Sequence, residues 1–147
     1  MEVSKGRLKR CSIEGDKFEE LFKQKIISNG LCFEKASNED DFYKHIDCYV
    51  DGYGVDVKGN RHLQTIWLEY SNVNGNKGWL RGDAYYIAMH IAELNCFSIY
   101  NRVDLLEFVK LNVKEKTTNK NDYLKLYTRE KWGKKELDIS IPNDDMR

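Results

Sequence analysis

Apolar residues recur along this chain in two rhythms, and the changes between them mark its elements. From Asp16, "DKFEELFKQKIISNG" sets Phe18, Leu21, Phe22 and Ile26 at helical spacing, with Asp16 as N-cap, Glu19 three positions on and Gly30 where a C-cap belongs. "LCFEKA" then predicts a short strand, and "SNEDDFYK" a polar turn or short helix. "HIDCYVD" and "YGVDVKG" alternate with period two around Gly52 and Gly54, which predicts a strand pair. "LQTIWLEYSNV" predicts a third strand and "NGNKG" a loop. "YYIAMHIA" and "CFSIYN" predict another strand pair turning near residues 93–95, although Ala, Met and Leu also allow a helix over 83–94. A short amphipathic helix at "VDLLEFVKLNV", with Asn101 as its cap, and a closing hairpin turning near Gly133 complete the chain. No repeat or linker interrupts it. The expectation is one α+β domain over residues 1–147, opening with a basic, aperiodic arm to about residue 13.

Charged residues inside the strand pattern need a separate reason. Side chains two apart share a face of a strand, so Val55 and Val57 point one way and Asp56 and Lys58 the other. By the same alternation Ile46, Cys48 and Val50 form an apolar face, with Asp47 opposite. Pairing through the glycine turn brings Asp47 near Asp56 and Lys58. In "TIWLEY", Ile66 and Leu68 share a face and leave Glu69 with Trp67 on the other. On the helix, Glu19 borders the apolar stripe and looks over the sheet edge, while Glu20 points away. Grouped acids repel one another unless a counter-charge is present. A divalent cation such as Mg²⁺ supplies one and favours oxygen ligands.

Bulk composition narrows the setting. Of 147 residues, 41% are hydrophobic and 33% charged, which fits a solvated globular chain. No membrane span and no signal-peptide pattern is present. Four scattered cysteines without a CxxC pair read as reduced thiols, with Cys32, Cys48 and Cys96 in the core, pointing to a cytoplasmic setting and away from zinc. Lys plus Arg equals Asp plus Glu at 24 each, so any nucleic-acid footprint is local. Arg61 with His62 after the third charged strand position, and Lys77 and Arg81 flanking Trp79, are the candidate phosphate contacts. Trp79 itself reads either as a core plug or as a base-stacking surface.

Asp47, then "VDVKG" with Asp56 and Lys58, preceded by a helical Glu19, resembles the PD-(D/E)XK nuclease superfamily. The run "IWLEYSNVNGNKGWLRGDAYYIAM" is similar to small phage and bacterial members, some of them like Holliday-junction resolvases. The resemblance implies a restriction-endonuclease-like core, a mixed central β-sheet flanked by helices. It implies Mg²⁺-dependent hydrolysis of phosphodiester bonds in DNA, double-stranded or branched, with Mn²⁺ able to substitute. Asp47, Asp56 and Glu19 then match the metal-binding acids, Lys58 the motif lysine, and Glu69 an additional catalytic acid. A homodimer is a further implication. Ile46 stands where the motif's name has proline. The rival expectations are a non-catalytic nucleic-acid- or protein-binding module of the same fold, and another metal-dependent phosphoester reaction on RNA or nucleotides.

Overall fold

The helical stripe that begins at Phe18 belongs to a longer helix. In the computed structural model, which describes residues 5–61, 65–131 and 133–142, helix α1 spans Lys5–Ser28. The expected N-cap at Asp16 and most of the expected basic arm are therefore helical. Lys, Arg and Leu are good helix formers, and a packed segment extends readily into such a neighbour without any apolar stripe to announce it. The other end is as expected. Gly30 adopts φ 76°; its N–H donates to the Ile27 carbonyl at 3.0 Å, and Leu31 N–H donates to the Ile26 carbonyl at 3.1 Å. That bond pair is the Schellman stop, which needs a residue at ease in the left-handed region.

The architecture is α+β, with two mixed sheets. The first contains β1 (Phe33–Lys35), β2 (Cys48–Val50), β3 (Tyr53–Arg61), β5 (Tyr86–Ile91) and β6 (Cys96–Asn101) in the spatial order β1-β2-β3-β5-β6. Within it β3 and β5 run parallel and the other neighbours antiparallel. The second has the order β4 (Thr65–Ser71), β9 (Lys134–Pro142), β8 (Leu126–Lys131), β7 (Lys116–Thr117). Helix α2 (Asn38–Lys44) lies between β1 and β2 in sequence, and α3 (Arg102–Asn112) follows β6, capped by Asn101 Oδ1 accepting from Asp104 N–H. Residues 86–101 are a strand pair, so the helical alternative over 83–94 is excluded. Two sheets stand where one central sheet was expected. A 3-10 turn at Trp79–Arg81 and the two-residue β7 carry no periodic signal and were not foreseen.

Two apolar clusters hold these layers. Phe22 of α1 packs on Cys48, Val55, Val57 and Ala88, with Phe18 and Ile26 beside them. The larger cluster joins Ile87 and Met89 of β5 to Ile66 and Leu68 of β4, Ile139 and Ile141 of β9, Leu105 and Val109 of α3, and Trp79. Ile46 and Cys48, expected on one face, belong to different clusters, because the chain leaves the β2–β3 ladder at Asp47. Cys48 is buried, which pushes its thiol up to about 12, whereas Cys32, expected in the core, is exposed and Cys96 half-buried. Among the described residues no helix is long and apolar enough to cross a membrane.

Gly78 locks the 3-10 turn to β4. Its N–H donates to the Tyr70 carbonyl at 2.9 Å, and a Cβ placed there would lie 2.4 Å from the Glu69 carbonyl oxygen and 2.6 Å from its carbon. Backbone cannot retreat as a side-chain tip can. Gly78→Ala is expected to lower stability by about 1–3 kcal/mol, the usual cost of overpacking, as measured by urea denaturation. Gly75→Ala, which meets open space, is the comparison in which only the positive φ is strained.

Candidate metal and active site

Cys48 pairs with Val55, and one step farther Asp47 faces Asp56. There the regular ladder stops. Asp47 N–H still donates to the Val55 carbonyl at 2.9 Å, but its carbonyl accepts from Ala36 N–H at 3.1 Å. Its own carboxylate Oδ2 accepts from Val57 N–H at 2.7 Å. A side chain thus caps the backbone group that a continuing strand would have bonded, and the carboxylate is fixed by that bond at the sheet's end. Asp56, on the neighbouring strand, is 2% exposed. Its Oδ1 lies 3.2 Å from Lys58 Nζ, and its buried Oδ2 meets no donor among the described residues.

Two further acids reach Asp47 from other elements. Glu19 comes from α1 and Asp41 from α2, and each of the three offers an oxygen within 4.8 Å of the others. Their titration follows from this crowding. Burial works against the Asp47 charge, but the Asp56 carboxyl, the Lys58 ammonium and Val57 N–H outweigh it and hold Asp47 below the usual carboxylate range. Burial, then the bond and charge of Asp47, push Glu19 up to about 8. Burial, then the Asp47 charge, raise Asp41 to about 6. Asp56 is raised by burial, against Lys58, with Asp47 adding to the rise. The ion-free arrangement is therefore one carboxylate, Asp47, ringed by carboxyl groups that release their protons at higher pH than ordinary acids. Oxygen donors of this kind suit a hard divalent cation.

Lys58 borders this group on the far side. Desolvation opposes its charge, yet Asp56, Asp47 and Glu69 prevail and raise its pKa. Its ammonium lies 5.4 Å from the centroid of the Trp79 ring, and its side chain is 32% exposed. Trp79 is buried, so it is a core plug that also walls the lysine.

Glu69 is not among the acids around Asp47. It lies opposite Asp138 in the β4–β9 ladder, and burial, then Glu136, raise its pKa, while Trp79 N–H and Lys58 oppose the rise. Asp138 is buried, and burial followed by its bond to Glu136 takes it to about 8. Lys58 thus feels acids of both sheets, and Glu69 is the one that approaches it from the second.

The candidate phosphate contacts divide. Lys77 lines a groove beside α2. Arg81 is committed within the fold: Nε donates to the Tyr70 carbonyl and a terminal N–H to Ser71 Oγ, both at 2.8 Å, and its guanidinium stacks on the Tyr70 ring. Two of its donors are therefore spent within the fold, leaving its remaining N–H groups for any phosphate contact. The side chain of Arg61, with His62, lies outside the described residues. Glu20 is exposed and accepts from Gln24 at 2.8 Å, away from the site. Asp41 was missed because it sits in an acidic run, "NEDD", that reads as a solvated turn; only the fold of α2 shows which of those acids faces Asp47. No family model, curated protein or solved structure matches the chain.

Because Glu19, Asp41 and Asp138 hold protons in the folded chain that the unfolded chain releases near pH 4, they contribute stability that is complete below that pH and lost as pH rises towards about 8. In chelated buffer the urea midpoint should fall between pH 5 and pH 8, and Glu19→Gln should flatten that limb. An unchanged slope in the variant contradicts the assignment.

Proposed function

We propose that this chain is a Mg²⁺-dependent nuclease that hydrolyses phosphodiester bonds in DNA, on a restriction-endonuclease-like core. The observation that carries the reading is the single locus at which Asp47, Asp56 and Lys58 meet, with Glu19 and Asp41 oxygens within 4.8 Å of Asp47. Asp47, Asp56 and Glu19 are the acids proposed to hold the cation, and Asp41 adds a fourth. The donor set fits: every group is a hard oxygen, the buried Asp56 Oδ2 meets no donor among the described residues, and the proton on Glu19 is one that a cation would displace. A bound Mg²⁺ supplies a water of lowered pKa and neutralises charge on the phosphodiester.

The chain's own groups do the rest. Lys58 stays an ammonium at neutral pH, held against Asp56, with part of its side chain open to solvent. From there it orients the attacking water or donates to the phosphate oxygen on which charge develops. Asp56 fixes Lys58, and Val57 N–H fixes Asp47. Glu69 supports the lysine's charge from the second sheet.

Nicking of supercoiled plasmid is the direct assay. Asp56→Asn and Lys58→Met should each reduce the Mg²⁺-dependent rate by about 10²–10³-fold or more, the loss seen when one charge-stabilising donor is removed, with the circular-dichroism spectrum kept. Wild-type rates in either variant contradict the assignment.

A further inference from the structure

Helix α2 carries Asp41 into the site and turns two aromatic rings to solvent. Phe42 is 75% exposed and Tyr43 73%; the rings meet edge to face at 4.9 Å. The helix buries none of its residues. Polar contacts hold it: Ser37 Oγ accepts from Asp40 N–H at 3.1 Å, Tyr49 donates to Asp40 Oδ2 at 2.7 Å, and Lys44 lies 3.2 Å from Asp40. At the helix end the Lys44 carbonyl accepts from Asp83 N–H at 2.9 Å, which ties α2 to the segment after Trp79. Neither ring is needed for the core.

Both rings line a groove of about 830 Å³ whose wall also includes Asp41, Asn38, Asn76 and Lys77. That volume is at the upper end for a small-molecule site, about 300–1,000 Å³. The groove's charge is balanced, with Lys77 and Arg81 against Asp41 and Asp83, and Arg81 is already engaged. A balanced lining gives the phosphates of duplex and single strand alike little electrostatic hold, so recognition here falls to the two rings. Aromatic faces bind any base by stacking, provided that the base is out of the helix.

We infer that the groove beside α2 takes unpaired nucleotides of the DNA substrate, stacking bases on Phe42 and Tyr43 next to the carboxylate site. The inference rests on the nuclease reading, and it makes DNA with unpaired nucleotides the preferred substrate over blunt duplex.

Fluorescence anisotropy in Ca²⁺ tests it, with a fluorescein-labelled single-stranded oligodeoxynucleotide and the blunt duplex of the same sequence. The wild-type chain should bind the single strand more tightly. Phe42→Ala/Tyr43→Ala should lose about tenfold or more on the single strand, the effect of roughly one stacked base, and less than about twofold on the duplex. The exchange Phe42→Tyr/Tyr43→Phe keeps two stacking rings and should retain affinity. Equal affinity of the wild type for both probes, or single-strand binding unchanged in the alanine variant, overturns the inference. Plasmid nicking in Mg²⁺ is read alongside. Nicking without a single-strand preference leaves the nuclease and removes the groove's role. A single-strand preference lost in the alanine variant, but without nicking, supports the groove and removes the catalysis.

Discussion

The bond from Val57 N–H to Asp47 Oδ2, at 2.7 Å, is the constraint on which the site depends. It is a backbone bond replaced by a side chain. A strand continuing past Cys48 would have offered a carbonyl there; the chain instead turns its Asp47 carbonyl to Ala36 and lets the carboxylate finish the ladder. The anion is thus fixed at the end of a sheet, where a helix above and the neighbouring strand beside it can both reach. Glu19 arrives from α1, whose position is set by Phe18, Phe22 and Ile26 on the apolar face of the same sheet. Asp56 arrives from β3. Packing and chemistry share one strand pair, with valines on one face and acids on the other.

Protons take the place of a counter-ion in this arrangement. Four carboxyl groups and one ammonium meet here, from the buried Asp56 to the exposed Asp41, and only Asp47 is held firmly as an anion. The others are raised, by burial first and by their neighbours next. Such a cluster costs stability when it ionises, so a chain that retains it sacrifices stability at neutral pH unless a cation is bound. The second group of acids, Glu69, Glu136 and Asp138, differs. It sits on the other sheet, and its Glu69 acts on the first group through the charge of Lys58. One lysine therefore links the electrostatics of the two sheets.

Strand alternation made Asp47, Asp56 and Lys58 legible from the sequence, because period two puts Asp56 and Lys58 on one face and the glycine turn sets Asp47 opposite. The apolar stripe of α1 likewise separated Glu19 from Glu20. What escaped were placements that depend on contacts distant in sequence. Asp41 belongs to a helix with no buried residue, so no periodicity marks it. Glu69 has the right alternation but pairs into the second sheet, and register between β4 and β9 is set across some seventy residues. The internal partners of Arg81, the Tyr70 carbonyl and Ser71 Oγ, could not be read from the sequence because they are met only once the loop folds back. The start of α1 at Lys5 was hidden because its first turns have the composition of an arm.

The anomalous scattering of Mn²⁺ in crystals of the protein tests the central claim most directly. The account predicts a peak coordinated by Asp47 and shared with oxygens of its neighbouring acids Glu19, Asp41 and Asp56. Absence of a peak at saturating Mn²⁺, or one bound elsewhere while Asp47 keeps its proton-sharing neighbours, would contradict it.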